Sequence, residues 1–140
     1  MRRLVIDSGI YIDWLNARRH EEILLGRGNV KYLSAVVSME LRAGAFTLRD
    51  RRLLQRLEAT FHRAGRLLAP TSAIYAQAGD VLRRLQTERG YSIQRGHSIV
   101  NDVLIALSAR SIGATVVTQN AADFRAIQGL RAFALELVSG

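Results

Sequence analysis

The sequence contains no cysteine among its 140 residues, and this absence removes several kinds of site at once. Disulfides, thiolate-bound metals and cysteine nucleophiles are all excluded. The three histidines, His20, His62 and His97, lie far apart in the chain and form no pair at ligand spacing, so a histidine-rich zinc site is not expected. Any metal chemistry would therefore use oxygen ligands.

Proline and long apolar runs are also scarce. The chain has one proline and 49% hydrophobic residues, which predicts a globular rather than a disordered protein. No apolar run approaches the roughly 20 residues of a membrane-spanning helix, and the run behind the basic start is too short for a signal peptide. We therefore expect a cytoplasmic protein without a membrane partner, folded as one domain over residues 1–140.

Lysine is nearly absent, although the chain is strongly basic. It carries 20 basic and 12 acidic residues, a net charge of +8, and every basic residue except Lys31 is arginine. A GC-rich coding sequence would explain the preference for arginine but not the net charge. An excess of arginine favours polyanionic partners and bidentate phosphate contacts, so we expect nucleic acid or an acidic protein as the partner.

Short apolar runs alternate with amphipathic segments along the chain. The apolar runs predict strands at residues 4–6, 30–33, 66–69 and 114–118, with a last edge strand within residues 130–138. The amphipathic segments predict helices at residues 9–18, 19–25, 49–64, 71–89 and 99–109, and one more between a Ser34 cap and Gly44. Residues 90–97 are expected to form a loop, with Ser98 capping the helix behind it. This alternation predicts a three-layer α/β/α sandwich with a mainly parallel central sheet.

Four acids occupy related places in this predicted fold. Asp7 and Asp123 follow strands, Asp102 lies in the first turn of the most apolar helix, and Glu40 lies in a helix behind the second strand. In a parallel α/β sheet, the carboxyl ends of the strands and the starts of the following helices meet at one edge. We therefore expect all four carboxylates to reach one cleft.

Each acid has a simpler explanation when it is considered alone. Asp7 is suited to cap the next helix, and Asp102 is favoured by the helix dipole. Glu40 is nearly surrounded by apolar residues, and an ion pair with Arg42 or Arg49 would make its burial less costly. A further acid, Asp13, lies on a different helical face from Asp7, so we expect it at the rim or in solvent.

The shared placement of the four acids favours a metal site. Crowded carboxylates raise one another's pKa values and cannot all stay charged without a cation. Oxygen ligands without cysteine or clustered histidine select Mg²⁺ or Mn²⁺, and such an ion can activate a water for attack on a phosphodiester. Ser8, Thr118 and Asn120 lie at the same edge, where their hydrogen bonds would orient the carboxylates.

Four segments together resemble PIN-domain nucleases, and among these the VapC-type toxins of bacterial toxin–antitoxin pairs. They are residues 5–8, 38–41 with Gly44, 101–106 and 118–124. The last segment, a strand ending in Thr-x-Asn-x-x-Asp-Phe, is the most specific of the four. The resemblance covers nearly the whole chain, in the order and at the length usual for the family.

The resemblance implies a divalent-metal-dependent endoribonuclease, a homodimer, inhibited by a cognate antitoxin that inserts residues into the acidic cleft. It assigns the metal and the catalysis to Asp7, Glu40, Asp102 and Asp123, with Ser8, Thr118 and Asn120 in support. Gln119 departs from the family, because many relatives carry a basic residue there. The arginine-rich residues between 40 and 66 match the part that in relatives often holds the antitoxin or shapes the dimer.

Three other interpretations compete with this one. A phosphatase of the haloacid dehalogenase type requires a second aspartate at position 9, where this chain has Gly9, and a suitably placed lysine, where it has only Lys31. A PIN-like module that binds RNA or protein without cleavage would not need four acids in a phosphate cleft. An RNA-processing PIN nuclease that is not a toxin uses the same residues, and the sequence leaves it open.

Overall fold

Five parallel strands form the central sheet of the computed structural model, which describes residues 1–94 and 97–139. The strands are β1 (Arg2–Ile6), β2 (Asn29–Ser34), β3 (Leu67–Leu68), β4 (Thr115–Thr118) and β5 (Ala134–Leu137). They lie in the order β3-β2-β1-β4-β5, and every neighbouring pair is parallel. The predicted, mainly parallel sheet is therefore confirmed.

Helices connect these strands. They are α1 (Ser8–Ala17), α2 (Glu21–Leu25), α3 (Ala35–Ala43), α4 (Leu48–Arg63), α5 (Ser72–Arg89), α6 (His97–Ser111) and α7 (Ala121–Leu130). Helices α5, α6 and α7 pack against one another, and α3 packs against α1, α4 and α6. This is the predicted α/β/α architecture. Within the described residues, no helix is both long and apolar enough to cross a membrane.

Strand β1 lies at the centre of the sheet and is covered on both faces. Leu4, Val5 and Ile6 are at most 2% exposed, and Val5 is paired with Tyr32 of β2 and Val116 of β4. An uninterrupted apolar run is typical of such a strand, because neither face needs polar side chains. The chain that leaves this strand carries Asp7 directly to the carboxyl edge of the sheet.

Helix α6 is the most deeply buried helix, since residues 102–109 are all buried. It begins at His97, so the prediction that Ser98 caps it is wrong: the turn that contains Ser98 is already helical. The predicted loop at 90–97 is correspondingly shorter, and residues 95 and 96 of it lie outside the described residues. The helix ends where Gly113, with φ of 66°, turns the chain into β4.

The sequence analysis did not predict helix α7, whereas the last edge strand predicted within residues 130–138 is confirmed. Residues 121–130 are helical, and the strand spans Ala134–Leu137. The helix forms because the Asn120 side chain accepts from the backbone N–H of Asp123, while Phe124 and Ile127 turn one buried face to the core. The other predicted helices and strands agree with the structure to within two residues at each end.

Ser34 joins β2 to α3 and satisfies the open end of the helix. Its Oγ accepts from the backbone N–H groups of Val36 at 3.1 Å and Val37 at 3.3 Å, and the residue is 1% exposed. The predicted capping role of Ser34 is confirmed. These amides are buried, so the Ser34 hydroxyl replaces water as their acceptor. The cap therefore fixes the direction in which α3 leaves the sheet and hence the position of Glu40.

We expect Ser34→Ala to lower the free energy of unfolding by about 1 kcal/mol, because two buried N–H groups lose their acceptor. The measurement is chemical denaturation of the purified protein. Ser72→Ala is the matched control, since Ser72 is exposed at the start of α5. Equal stability of the Ser34→Ala variant and the control would contradict the capping role.

Candidate active site

Asp7 lies at the carboxyl end of β1 and is also the N-cap residue of α1. Its backbone N–H donates to the Val117 carbonyl of β4 at 2.9 Å. Its side chain accepts from the Ser8 backbone N–H at 2.9 Å and from the Thr118 hydroxyl at 2.7 Å. Burial raises the pKa of the Asp7 carboxyl above its usual value, and these two hydrogen bonds oppose that rise. Asp7 therefore combines the two placements that the sequence left open, cap and site.

The end of β4 and the residues that follow it form hydrogen bonds with three of the carboxylates. Thr118, fully buried, donates to Asp7 and accepts from the backbone N–H of Asn120 at 3.0 Å. The Asn120 amide nitrogen then donates to Asp123 at 3.0 Å and to Asp102 at 3.3 Å. Because one side chain bonds both acids, Asn120 fixes the spacing between helices α6 and α7 at this edge. Thr118 and Asn120 thus lie where the sequence predicted them.

Asp102 is the most deeply buried of the four acids, at 4% exposed. Burial and, in decreasing order, the negative charges of Asp7, Asp123 and Glu40 together raise its pKa to about 8. The influence of three other carboxylates on Asp102 shows that all four share one electrostatic environment, which we call the acidic site. Within the described part of the chain, no basic side chain lies within 4.0 Å of any of them.

Glu40 reaches the acidic site from α3 and carries an unsatisfied oxygen. The Asn101 amide donates to its Oε2 at 3.4 Å, whereas Oε1 is buried and finds no hydrogen-bond partner among the described residues. Burial and the charge of Asp7 raise the pKa of Glu40, while Asn101 and Ser8 oppose the rise. The structure thus places Ser8 close to both Asp7 and Glu40.

The ion pair considered for Glu40 does not form. Arg42 instead pairs with Glu58 of α4, with its Nη2 2.7 Å from Oε1, and the Ser38 hydroxyl bonds the same carboxylate. Arg49 lies 3.6 Å from Asp50. Arg42 sits two residues beyond Glu40 on α3, so it faces α4 rather than the sheet edge. The interpretation of Glu40 as an ordinary ion-pair partner is therefore wrong.

Tyr91 is a site residue that the sequence analysis missed. Its hydroxyl donates to Asp123 Oδ1 at 2.8 Å, and burial, this bond and the nearby acids raise the pKa of Tyr91 to about 12. Gly90, with φ of 70°, ends α5 and turns Tyr91 toward the site. The glycine after an amphipathic helix signals the turn, but nothing in the sequence links Tyr91 to an acid 32 residues away.

Family and fold comparisons agree with this geometry. The PIN domain family matches residues 4–130. The chain belongs to the PIN domain family. This confirms the family resemblance inferred from the four segments. Comparison with curated protein sequences gave no match.

Solved structures of similar fold cover this PIN domain almost completely. VapBC2 from Rickettsia felis, bound to a DNA fragment from its promoter, has 22% identity and a TM-score of 0.71, over 98% of this chain and 99% of that one. DNA-bound VapBC from Salmonella typhimurium has 23% identity and a TM-score of 0.70, over 97% and 98%. VapBC-5 from Mycobacterium tuberculosis, of the VapBC family of toxin-antitoxin systems, has 23% identity and a TM-score of 0.61, over the full length of both. At these identities the likeness confirms the predicted PIN-like fold.

The donors of the acidic site fit a hard divalent cation. They are carboxylate oxygens without a basic partner, and one of them, Glu40 Oε1, is buried with its hydrogen-bonding capacity unused. As the described side chains stand, however, no three histidine or acidic residues converge on a point that would hold an ion. Binding would therefore require the carboxylates to draw together, which their mutual repulsion opposes until a cation is present.

We expect the metal-free PIN domain to lose stability as the pH rises. The Asp102 carboxyl has an ordinary pKa of 3.8, which applies in the unfolded chain, and about 8 in the folded one. Between these values the folded state binds the extra proton, so the free energy of unfolding falls from about pH 4 to about pH 8 and then levels off. The raised pKa values of Asp7 and Glu40 act in the same direction.

Thermal melts in chelator at pH 6 and pH 8.5 measure this slope. The Asp102→Asn variant should melt several degrees higher than wild type at pH 8.5 and show a shallower pH dependence. Asp80→Asn is the control, because Asp80 is an exposed acid of α5 that pairs with Arg83 at 3.0 Å. An unchanged slope in Asp102→Asn would show that Asp102 does not hold a proton in the folded state.

Proposed function

We propose that this PIN domain is a divalent-metal-dependent endoribonuclease that acts as the toxin of a toxin–antitoxin pair. The observation that carries the proposal is the acidic site itself, in which burial and three neighbouring carboxylates raise the pKa of Asp102 without a basic partner among the described residues. Such an arrangement destabilises the folded protein, and a bound cation is the ordinary physical reason for keeping it. Under this proposal, residues 1–140 act as a single domain in the cytoplasm.

Asp7, Glu40, Asp102 and Asp123 would hold the ion, Mg²⁺ or Mn²⁺. When bound, such an ion supplies an activated water and neutralises charge on the phosphodiester oxygens. The Thr118 hydroxyl keeps Asp7 in place, and the Asn120 amide keeps Asp102 and Asp123 facing each other. The Asp102 carboxyl gives up the proton that it holds near neutral pH, so metal binding and proton release are coupled.

The positive charge of the rest of the domain offsets the repulsion between the acidic site and RNA. The net charge is +8, and Arg52, Arg56 and Arg63 are exposed on one face of α4. Their spacing of four and seven residues puts them on the same side of the helix. Such a basic stripe attracts the phosphate backbone whatever its sequence, and the acidic site then acts on a strand already bound.

An apolar groove beside Glu40 supports the proposal of an antitoxin partner. Ile12, Leu15, Leu41 and Leu54 line it, and Glu40 forms part of its wall. The adjoining loop leaves Phe46 84% exposed. The similar VapBC structures are complexes, and in this chain we propose that an apolar segment of the antitoxin fills the groove while a basic side chain reaches the acidic site. A homodimer, as the family resemblance implies, completes the proposed assembly.

We expect the purified protein to cleave RNA with Mg²⁺ or Mn²⁺ and to stop when a chelator is added. Asp7→Ala should lower the rate by at least about 100-fold, because the remaining carboxylates hold the ion poorly. Gel analysis of a labelled RNA gives the rate, and Asp80→Asn should leave it unchanged. Undiminished cleavage by Asp7→Ala would refute the mechanism.

Expression in cells distinguishes a toxin from an RNA-processing nuclease, which would use the same residues. A toxin should arrest growth, co-expression of its antitoxin should restore growth, and Asp102→Asn should be harmless. Harmless expression of wild-type protein that is active in the test tube would favour the processing role.

Tyr91→Phe should raise the Mg²⁺ concentration needed for half-maximal cleavage by about 10-fold. The change removes only the hydroxyl that orients Asp123, and losing such an outer partner weakens a metal site by about 10- to 100-fold. Titrating Mg²⁺ in the cleavage assay measures the shift. Tyr75→Phe on α5 is the control, since Tyr75 is 56% exposed. If both variants require the same Mg²⁺ as wild type, Tyr91 does not position Asp123.

A further inference from the structure

Three polar side chains outside the acidic site form a cluster at the same edge of the sheet. They are Asp13 of α1, His20 just before α2, and Gln119 between β4 and α7. Gln119 Nε2 lies 2.9 Å from Asp13 Oδ2 and 2.9 Å from His20 Nε2, and His20 Nε2 lies 3.4 Å from Asp13 Oδ2. The Gln119 side chain is therefore held from two directions. Asp13 itself is partly exposed, as expected for a rim residue.

The backbone around His20 is strained in a way that brings its ring into this cluster. His20 has φ of 62° and Arg18 has φ of 56°, a region that side-chain-bearing residues rarely adopt. Such conformations cost about 1–3 kcal/mol each and persist where the surrounding structure requires them. The His20 side chain is 8% exposed as a result. The protein therefore keeps a strained turn that buries a histidine against Gln119.

The hydrogen bonds fix which way the Gln119 amide faces. The Asp13 carboxylate only accepts, so the amide nitrogen, and not the oxygen, must point at it. The same nitrogen lies 2.9 Å from His20 Nε2, so both neighbours hold the nitrogen side of the amide. The amide oxygen Oε1 remains, and it lies beside Gly9, where a Cβ atom would sit 3.4 Å from it.

The free oxygen lies at the same edge of the sheet as the proposed metal site. Gln119 stands between Thr118, which bonds Asp7, and Asn120, which bonds Asp102 and Asp123. Gly9 is two residues beyond Asp7, in the first turn of α1. An acceptor at this place repels a phosphate oxygen. It attracts a hydrogen-bond donor, and RNA carries two kinds, the ribose 2′-hydroxyl and the N–H groups of its bases.

We propose that Gln119 reads the RNA by accepting a hydrogen bond from a donor group beside the cleaved bond, with Asp13 and His20 as its positioning residues. The inference rests on the proposed ribonuclease function. It adds a determinant of substrate choice. A site that bonds such a donor discriminates against a substrate that lacks it, because that hydrogen bond is then lost.

The test compares wild type with Gln119→Met, which keeps the length of the side chain and removes the amide. The substrates are one RNA oligonucleotide and a series with a single 2′-deoxy nucleotide at each position around the cut. Wild type should lose about 10-fold in kcat/KM at one position of the series, the value of one hydrogen bond to a neutral group. Gln119→Met should show that loss on the unmodified RNA and no further loss at the same position.

A second series, with base analogues that each lack one N–H donor, locates the bond if every 2′-deoxy substrate behaves normally. A loss in either series that Gln119→Met abolishes supports the inference and names the donor. Equal cleavage of all substrates by both proteins overturns it while leaving the ribonuclease proposal intact. If wild type does not cleave, the affinities of Asp102→Asn and Asp102→Asn/Gln119→Met for the unmodified RNA and for both series replace the rates. If no substrate of either series loses affinity in a way that depends on Gln119, this inference is overturned as well.

Asp13→Asn tests the positioning role separately. The new amide can donate as well as accept, so it permits Gln119 to turn and present its N–H groups instead of Oε1. We expect KM for the unmodified RNA to rise several-fold with kcat and the Mg²⁺ requirement unchanged. Combined with Gln119→Met, Asp13→Asn should have no additional effect. Glu22→Gln, at an exposed acid of α2, is the control. An additive effect of Asp13→Asn would show that it acts elsewhere.

Discussion

Repulsion among four carboxylates is the constraint on which the rest of this structure depends. Asp7, Glu40, Asp102 and Asp123 come from widely separated parts of the chain, and only a parallel sheet with helices behind its strands gathers them at one edge. Neutral donors rather than cations hold them there: a threonine hydroxyl, a tyrosine hydroxyl and two asparagine amides. Neutral donors orient the carboxylates without neutralising their negative charge. That charge stays available to a cation.

The acidic site lowers the free energy of unfolding, and burial of the apolar core around it offsets that loss. Strand β1 is paired with a strand on each side and buried on both faces. Residues 102–109 of α6 are all buried. Asp102 belongs to that same helix, so the most deeply buried acid is attached to the most strongly packed element. Packing at Val103, Ile105 and Ala106 thus holds a carboxylate where solvation alone would not place it.

The sequence was sufficient for the parts of the fold that follow from local pattern. Uninterrupted apolar runs predicted β1 and β4. The four acids were predicted to lie together because the carboxyl ends of parallel strands share one edge of the sheet. Tyr91 and the bond between Gln119 and His20 could not be found in this way, because they join residues 32 and 99 positions apart. These contacts depend on a left-handed turn at His20 and on a helix end at Gly90, and no periodicity encodes either. Asn120 is both the cap of α7 and a polar residue of the site, so its presence after β4 does not by itself indicate a helix.

Asn120 links the start of α7 to the acidic site, so the motions of the two are coupled. Its side-chain oxygen accepts from the backbone N–H of Asp123 and so begins α7, while its nitrogen joins Asp102 to Asp123. Fraying of the first turn of α7 and loss of order among the carboxylates are therefore the same local opening. Exchange of the Asp123 amide proton with solvent reports on that opening, and a ligand that draws the carboxylates together slows it. The first turn of α7 and the order of the acidic site therefore depend on the same side chain.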